Sequence, residues 1–274
     1  MSQAMTDEMP ESRGRERFLR VALPLLVAAL LLSSCEAAVR YYEIPHYLVP
    51  SPSRVFAYLW TDFTSLVPSW LVTLQITFLA LLFSVLGGGA LALLFAQSPW
   101  IERAFLPYAV VLQVTPIVAV APLIIIYVPS TYVALLLCAW IVAFFPILSN
   151  TTIGLHSADH NLVDLFQLYG ASRWQTLLHL RLPSALPFFL AGLKVSGGLS
   201  LIAAVVAEYV AGTAGTGTGL AYRVLENSYR MNIPGMFACL LLLAFTGVAI
   251  FGLTSFISWL LLHRWHDSAR ARER

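Results

Sequence analysis

The sequence predicts an all-α protein that crosses a membrane six times, with both termini in the cytoplasm. Of its 274 residues, 59% are hydrophobic and only 11% are charged, a balance too apolar for an ordinary soluble domain. Several apolar runs reach the roughly 20 residues that a helix needs to cross about 30 Å of hydrocarbon. Basic residues also concentrate on one side of the predicted spans, as they do in multi-pass membrane proteins.

The first apolar run extends from residue 18 to about residue 39 and follows a polar segment, 1–17, predicted to be a cytoplasmic tail. Leu32-Ser33-Ser34-Cys35 resembles a lipoprotein cleavage box that follows a charged start and a short apolar core. The alternative is a first transmembrane helix whose basic flank keeps its N-terminus in the cytoplasm. We favour the helix, because lipoproteins usually tether soluble domains and the rest of this chain is apolar.

The segment after the first span, residues 40–69, is amphipathic. Apolar residues at helical spacing follow the turn at Pro50 and predict a helix lying in the interface outside the membrane; they are Val55, Tyr58, Leu59, Phe63 and Leu66. The first span and this interfacial helix together form a predicted unit, 18–66. The unit 67–262 is the predicted core, with five further spans.

The five core spans are predicted at about 70–96, 104–128, 131–153, 185–210 and 236–262. Pro116 and Pro122 interrupt the third span, and the freed carbonyls are tolerable only against protein or a wet cavity. That helix is therefore either a pathway wall or a kinked helix that packs better. Small residues in the second and fifth spans predict close helix packing or the lining of a passage. A short outside helix, 220–229, is expected before the last span.

The placement of the 16 basic residues orients the chain. Twelve fall on the predicted cytoplasmic side: Arg13, Arg15, Arg17, Arg20, Arg103, Arg173, Arg181, Lys194, Arg264, Arg270, Arg272 and Arg274. Four fall outside: Arg40, Arg54, Arg223 and Arg230. Since cytoplasmic loops keep positive charge, the loop 154–184 and the C-terminal tail 263–274 are predicted to be cytoplasmic.

That cytoplasmic loop is predicted to form two short helices separated by a glycine. Gly170 ends the first helix, because a residue without Cβ can adopt the left-handed conformation of a C-cap. Ser172 and Gln175 have the spacing of a capping box that starts the second helix. Pro183 is expected to end it, since proline cannot donate a backbone hydrogen bond.

The same residues carry a family resemblance. The frame Asp164-Leu165-Phe166, three residues, Gly170, nine residues, Leu180, Arg181, Leu182-Pro183 resembles the cytoplasmic motif of permease subunits of binding-protein-dependent ABC importers. That motif reads Glu-Ala-Ala, three residues, Gly, nine residues, Ile, one residue, Leu-Pro. The spacing is complete and the Gly170-Ala171-Ser172 run matches closely. The opening triplet departs from the pattern, with Asp for Glu and two large apolar residues for the alanines.

The resemblance implies a type I importer permease fold, in a bacterial inner membrane, without enzymatic activity of its own. The implied partners are a second copy of the chain, two cytoplasmic ABC ATPase subunits and an extracytoplasmic solute-binding protein. The implied ATPase-coupling residues are Asp164, Leu165, Phe166, Gly170, Ala171, Ser172, Leu180, Leu182 and Pro183. The chain is similar to the branch that takes up taurine, alkanesulfonates, nitrate and pyrimidine vitamin precursors.

The sequence offers no chemistry of its own for ATP, metals or nucleic acid. Lys194, its one lysine, follows Leu193, so the glycine-lysine loop that binds ATP phosphates is missing. ATP and Mg²⁺ are therefore expected on a partner ATPase, with no cofactor in this chain. The six histidines and three cysteines form no ligand set, no nucleophile and base are paired, and a net charge of +2 gives no basic surface for nucleic acid.

Candidate residues for the translocation pathway are Thr115, Pro116, Ser196, Ser200 and Glu208. Glu208 lies in an apolar span, where an ionisable group costs up to ~3 kcal/mol and usually faces protein or water. It is either a polar group of the pathway or gate, or a structural hydrogen-bonding group between helices. The rival function is an ion-coupled secondary transporter, a class that commonly has paired broken helices in two inverted halves.

Overall fold

The computed structural model describes residues 11–212 and 217–263, and within these ranges the regular secondary structure is helical. The helices are α1 (Glu11–Tyr41), α2 (Pro52–Gln97), α3 (Pro99–Val114), α4 (Ile117–Tyr127), α5 (Thr131–His156), α6 (His160–Leu168), α7 (Arg173–Thr176), α8 (Leu182–Ala211), α9 (Leu220–Tyr229) and α10 (Ile233–Leu262). Five helical segments are long and apolar enough to cross a membrane, and the pair α3–α4 makes a sixth if it counts as one span. This confirms the all-α prediction.

The predicted tails fall largely outside the described residues. That is so for residues 1–10 and for 264–274 with their four arginines. Helix α1 already begins at Glu11, within the segment predicted as a cytoplasmic tail.

Helix α2 differs most from the sequence prediction. One helix of 46 residues replaces the expected interfacial helix and second span, and its length of about 70 Å far exceeds the membrane core. The prediction of a separate interfacial helix is therefore wrong, although the predicted apolar face exists. Leu66 on that face is buried against Leu220 and Leu242, so it packs on α9 and α10 rather than on lipid. These protein contacts keep the segment in line with the span.

The third span is broken at one proline and continuous through the other. Helices α3 and α4 meet at a bend of 100°, where Thr115 and Pro116 both have extended backbones. A residue before proline is pushed out of the helical region, which explains the break at Thr115. The prediction that Pro122 also interrupts the span is wrong. Pro122 lies inside α4, and Ala121 before it is fully buried in a cluster with residues of α5 and α8.

The centre of the bundle is the packing of α5 on α8, with α2 against both and α10 against α2 and α8. A Cβ on Gly154 would lie 2.8 Å from the Cα of Ala185, and one on Gly192 would lie 2.8 Å from the carbonyl oxygen of Pro146. Such distances leave no room for a side chain. On α2, the buried residues Ser84, Gly88 and Ala92 face the same core. The predicted small-residue faces therefore bring these helices together.

The helix that leads into the fifth span is not ended by Pro183. The segment Arg173–Ala211 continues as one helix of 39 residues, with a π-helical turn at Leu177–Arg181 between α7 and α8. In this wider turn the N–H of Leu182 donates to the carbonyl of Leu177, five residues back. Pro183, which has no N–H to donate, follows directly after this wider turn.

The close contact of α5 and α8 predicts that Gly192 cannot carry a side chain. We expect Gly192→Val to lower the free energy of unfolding by about 1–3 kcal/mol or more through overpacking. The matched control is Gly198→Val, also on α8, where a Cβ would have no neighbour within 4 Å. Thermal unfolding of the purified subunit in detergent measures both, and equal midpoints for the two variants would contradict the packing described.

Candidate functional site

The two short helices α6 and α7 form an elbow, residues 159–181, at the end of the bundle where α2 ends and α8 begins. Its turns are closed by local hydrogen bonds. The Asp159 carboxylate accepts from the N–H of Asn161 at 2.9 Å and caps α6. Gly170 has φ +66°, and the N–H of Ala171 donates to the carbonyl of Phe166 at 2.9 Å, a C-terminal cap that requires the left-handed residue.

The second helix of the elbow starts with the predicted capping box. The N–H of Gln175 donates to Ser172 Oγ at 3.2 Å, and the N–H of Ser172 donates to Gln175 Oε1 at 2.7 Å. This reciprocal pair satisfies amides at the start of α7. The glycine and the capping box therefore fix the angle between the two helices.

The outward side of the elbow is apolar and exposed. Leu168 is 84% exposed, Tyr169 83% and Trp174 66%, and none of the residues of α6 is buried. Of the first motif triplet, Asp164 and Leu165 are exposed and Phe166 is half-buried. Motif spacing alone missed Leu168, Tyr169 and Trp174. The sequence signal that could have found them is the presence of three large apolar side chains within seven residues of a polar loop.

The inner side of the elbow is anchored to the bundle. Leu177 and Leu180 are buried, and Leu177 packs with Phe95 of α2 and Leu155 of α5. Arg181 Nη1 donates to the carbonyl of Ala96 at 3.1 Å, at the C-terminal end of α2 where a cation is favoured. The motif thus contains two groups of residues, an exposed one before α7 and an anchoring one from Leu180 to Pro183.

Four of the five pathway candidates lie in two different environments. Ser196 and Ser200 are fully buried, and each donates to a helix carbonyl, that of Ala143 at 2.7 Å and that of Gly197 at 2.9 Å. Ser196 thus bonds across to α5, whereas Ser200 bonds within α8. Thr115 and Pro116 instead lie at the break between α3 and α4, where Pro116 is exposed and Thr115 is partly so.

Glu208, the fifth candidate, lies at the far end of α8 and is only 2% exposed. Its Oε2 accepts hydrogen bonds from Thr73 Oγ1 and from the N–H of Ala221, both at 3.1 Å. The N–H of Leu220 donates to Thr73 Oγ1 at 2.9 Å. These contacts join α2, α8 and the first turn of α9, and they favour the structural alternative for Glu208. The glycine-rich run before α9 is described only in part, because residues 213–216 fall outside the described ranges.

The candidates therefore do not converge on one cleft. Glu208 and Arg181 are separated by 27 residues of nearly continuous helix, which corresponds to about 40 Å. Among the described residues, no group of three His, Cys, Asp or Glu side chains could hold a metal ion. The arrangement suits mechanical connection between the two ends of the bundle rather than a reaction at one point.

Comparison with known proteins identifies the family. Residues 84–263 match the model of the binding-protein-dependent transport system inner membrane component. The chain is 34% identical over 275 residues to the riboflavin transport system permease protein RibX of Chloroflexus aurantiacus, covering 96% of this chain and 98% of RibX. It is 31% identical over 226 residues to the formylaminopyrimidine transport permease protein ThiX of Halalkalibacterium halodurans, covering 82% of this chain and 88% of ThiX.

The fold also resembles that of a solved ABC transporter. A solved structure of the MetNI methionine ABC transporter, in an inward-facing conformation, superposes with a TM-score of 0.61 at 18% identity, covering 72% of this chain and 96% of that one. The chain therefore belongs to the binding-protein-dependent ABC transport permeases, as the multi-pass, non-catalytic inner-membrane subunit of an importer that works with an ATPase and a solute-binding protein.

Proposed function

We propose that the elbow is the surface on which the ATPase subunit docks and through which it moves the permease. The observation that carries the proposal is the exposure of three large apolar side chains, Leu168, Tyr169 and Trp174, on either side of a capped turn. Contiguous exposed apolar side chains outside the spans are typical of a protein interface. Aromatic residues at such a surface often contribute most of the binding free energy.

The path from this surface to the bundle is short. Helix α7 continues through the π-helical turn into α8, so a displacement of the elbow displaces α8. Leu177 connects the same turn to the inner ends of α2 and α5, and Leu180 in this turn is also buried. When the ATPases close on ATP, the elbow and α8 would move together, and the bundle would change its opening by rigid-body motion.

We also propose that the working permease contains two copies of this chain, each with its own ATPase subunit. Within one copy, Ser196 and Ser200 are buried between helices and Glu208 is enclosed at the outer end. The break at Thr115 and Pro116 is by contrast accessible in the single chain. A second copy placed against the bent pair α3–α4 would enclose this break and complete a passage between the subunits.

The transported solute is proposed to be a small nitrogen heterocycle. Two relatives that align with most of this chain are named for riboflavin and formylaminopyrimidine transport. The chain's own composition is compatible with such a solute, since aromatic residues make up 12% of it and charged residues only 11%. Aromatic side chains can stack on a planar ring without fixed charge.

The docking proposal predicts that the elbow aromatics control ATPase binding. Tyr169→Ala and Trp174→Ala should each weaken binding of the ATPase subunit by about 30-fold, the loss typical of an interface hot spot of ~2 kcal/mol. The matched control is Tyr229→Ala at the opposite end, since Tyr229 is 80% exposed on α9. Binding of the purified ATPase to the permease in nanodiscs measures the effect. Unchanged binding in both elbow variants would contradict the proposal.

The two-copy proposal predicts that cysteines at the α3–α4 break lie close to each other. In a Cys35→Ser background, which removes the exposed native cysteine, Pro116→Cys should give covalent dimers with a short bis-maleimide in membranes. Phe251→Cys on α10 is the control, with a comparably exposed side chain. Equal dimer yields at the two positions would contradict a contact at the break.

The solute proposal is tested in proteoliposomes that contain the permease, its ATPase and its binding protein. We expect ATP-dependent uptake of radiolabelled riboflavin or formylaminopyrimidine, and little uptake of nitrate or taurine, because neither nitrate nor taurine has a ring that can stack. Uptake of nitrate or taurine without uptake of either heterocycle would overturn the assignment.

A further inference from the structure

We propose that Glu208 and Thr73 form an outer clasp on the first turn of α9, and that this clasp is the fixed point about which α8 moves when the elbow is displaced. The clasp consists of Glu208, Thr73, Gly219, Leu220 and Ala221. The inference rests on the proposed coupling function of the elbow, but it concerns the opposite end of α8. Glu208 and Thr73 are thus assigned as positioning residues.

The clasp replaces a local helix cap. The first N–H groups of a helix have no partner within the helix, and the N-cap of α9 is Gly219, which has no side chain to supply one. The N–H of Leu220 instead donates to Thr73 Oγ1 at 2.9 Å, and that of Ala221 donates to Glu208 Oε2 at 3.1 Å. The caps of α9 therefore come from α2 and α8, so α9 can be capped only while those helices stay together.

Burial makes this connection strong. Thr73 and Glu208 are 0% and 2% exposed, so water cannot replace either acceptor easily. One oxygen of Glu208 accepts both from the hydroxyl of Thr73 on α2 and from the N–H of Ala221 on α9. Loss of the carboxylate would leave the N–H of Ala221 buried without an acceptor.

The chain before α9 fits directly against the carboxylate. A Cβ built on Gly219 would collide with the Glu208 carboxyl group. Gly219 has φ −84°, a conformation open to any residue, so glycine is needed here for space and not for backbone freedom. This distinction allows the contact to be tested by a single methyl group.

Further bonds extend the clasp across the outer end. Arg223 Nε of α9 donates to Ser69 Oγ of α2 at 3.1 Å, and Trp70 Nε1 donates to Thr246 Oγ1 of α10 at 2.8 Å. Side-chain hydrogen bonds thus connect α2 to α9 and α10 next to the clasp. The elbow at the other end of α8 carries the exposed surface, so α8 has one held end and one driven end.

The test uses the complete importer in proteoliposomes and measures solute taken up per ATP hydrolysed, together with binding of the ATPase subunit. Glu208→Ala and Thr73→Val should lower uptake per ATP by about tenfold, a coupling change of ordinary size, with ATPase binding unchanged. Thr73→Ser keeps the hydroxyl and should restore wild-type coupling. Thr77→Val is the matched control, since Thr77 is equally buried one turn further along α2 but bonds only within its own helix.

A second arm tests the contact itself. Gly219→Ala alone should lower uptake per ATP as much as Glu208→Ala, because the added methyl group displaces the carboxylate. The double variant with both changes should be no worse than Glu208→Ala, since the collision partner is gone. If the two losses multiply instead, the carboxylate and Gly219 act independently and the clasp is wrong. Glu208→Gln keeps the shape and one acceptor oxygen and should retain coupling close to wild type, and Thr73→Val with Gly219→Ala carries the test if Glu208→Ala does not insert.

The outcomes separate this inference from the proposed function. Unchanged uptake per ATP in Glu208→Ala and Thr73→Val, with only a lower unfolding temperature, would show a purely structural role and overturn the fixed point. Normal ATPase binding in Tyr169→Ala and Trp174→Ala would instead overturn the elbow as the docking surface, whatever the clasp variants do. Lost ATPase binding in the clasp variants would also count against the clasp, because a local fixed point leaves the elbow surface intact.

Discussion

The structure depends on the continuity of the helix Arg173–Ala211 through Pro183. An α-helix would lose a hydrogen bond and meet a steric clash at this proline. The π-helical turn removes the conflict, since the N–H of Leu182 reaches the carbonyl of Leu177 and Ser184 Oγ donates to the carbonyl of Leu180 at 2.9 Å. Because the helix does not break, the elbow and the fifth span are one piece.

Because α8 is continuous with the elbow, the small residues at the contact between α5 and α8 affect how α8 can move. Gly154 and Gly192 let the two helices approach until backbone atoms touch, so α8 moves against a closely fitted neighbour. Packed interfaces of this kind have few discrete arrangements rather than a continuous range. Membership of the ABC importer permeases excludes the ion-coupled secondary transporter as an alternative, and an importer whose ATP is hydrolysed by a separate subunit needs such a mechanical connection.

Local chemistry made much of this fold predictable. The C-cap at Gly170 and the capping box at Ser172 follow from turn and cap preferences of neighbouring residues, and the structure has both. It also has the predicted helix at 220–229. Tertiary effects escaped prediction. The apolar face of residues 55–66 gives no sign of whether it meets lipid or α9, and Pro116 and Pro122 differ only in what surrounds them. The hydrogen bonds of Glu208 join residues as far apart as Thr73 and Ala221, so no local pattern could reveal them.

The central claim is that motion reaches the bundle through the unbroken helix below the elbow. The most direct measurement is solute uptake per ATP hydrolysed after insertion of two glycines between Leu178 and His179, within the π-helical turn, because glycine weakens a helix and the insertion shifts its register. The account predicts that the ATPase subunit still binds the elbow and still hydrolyses ATP, while uptake is lost. Uptake at the wild-type ratio would show that the force travels by another route and would contradict the account.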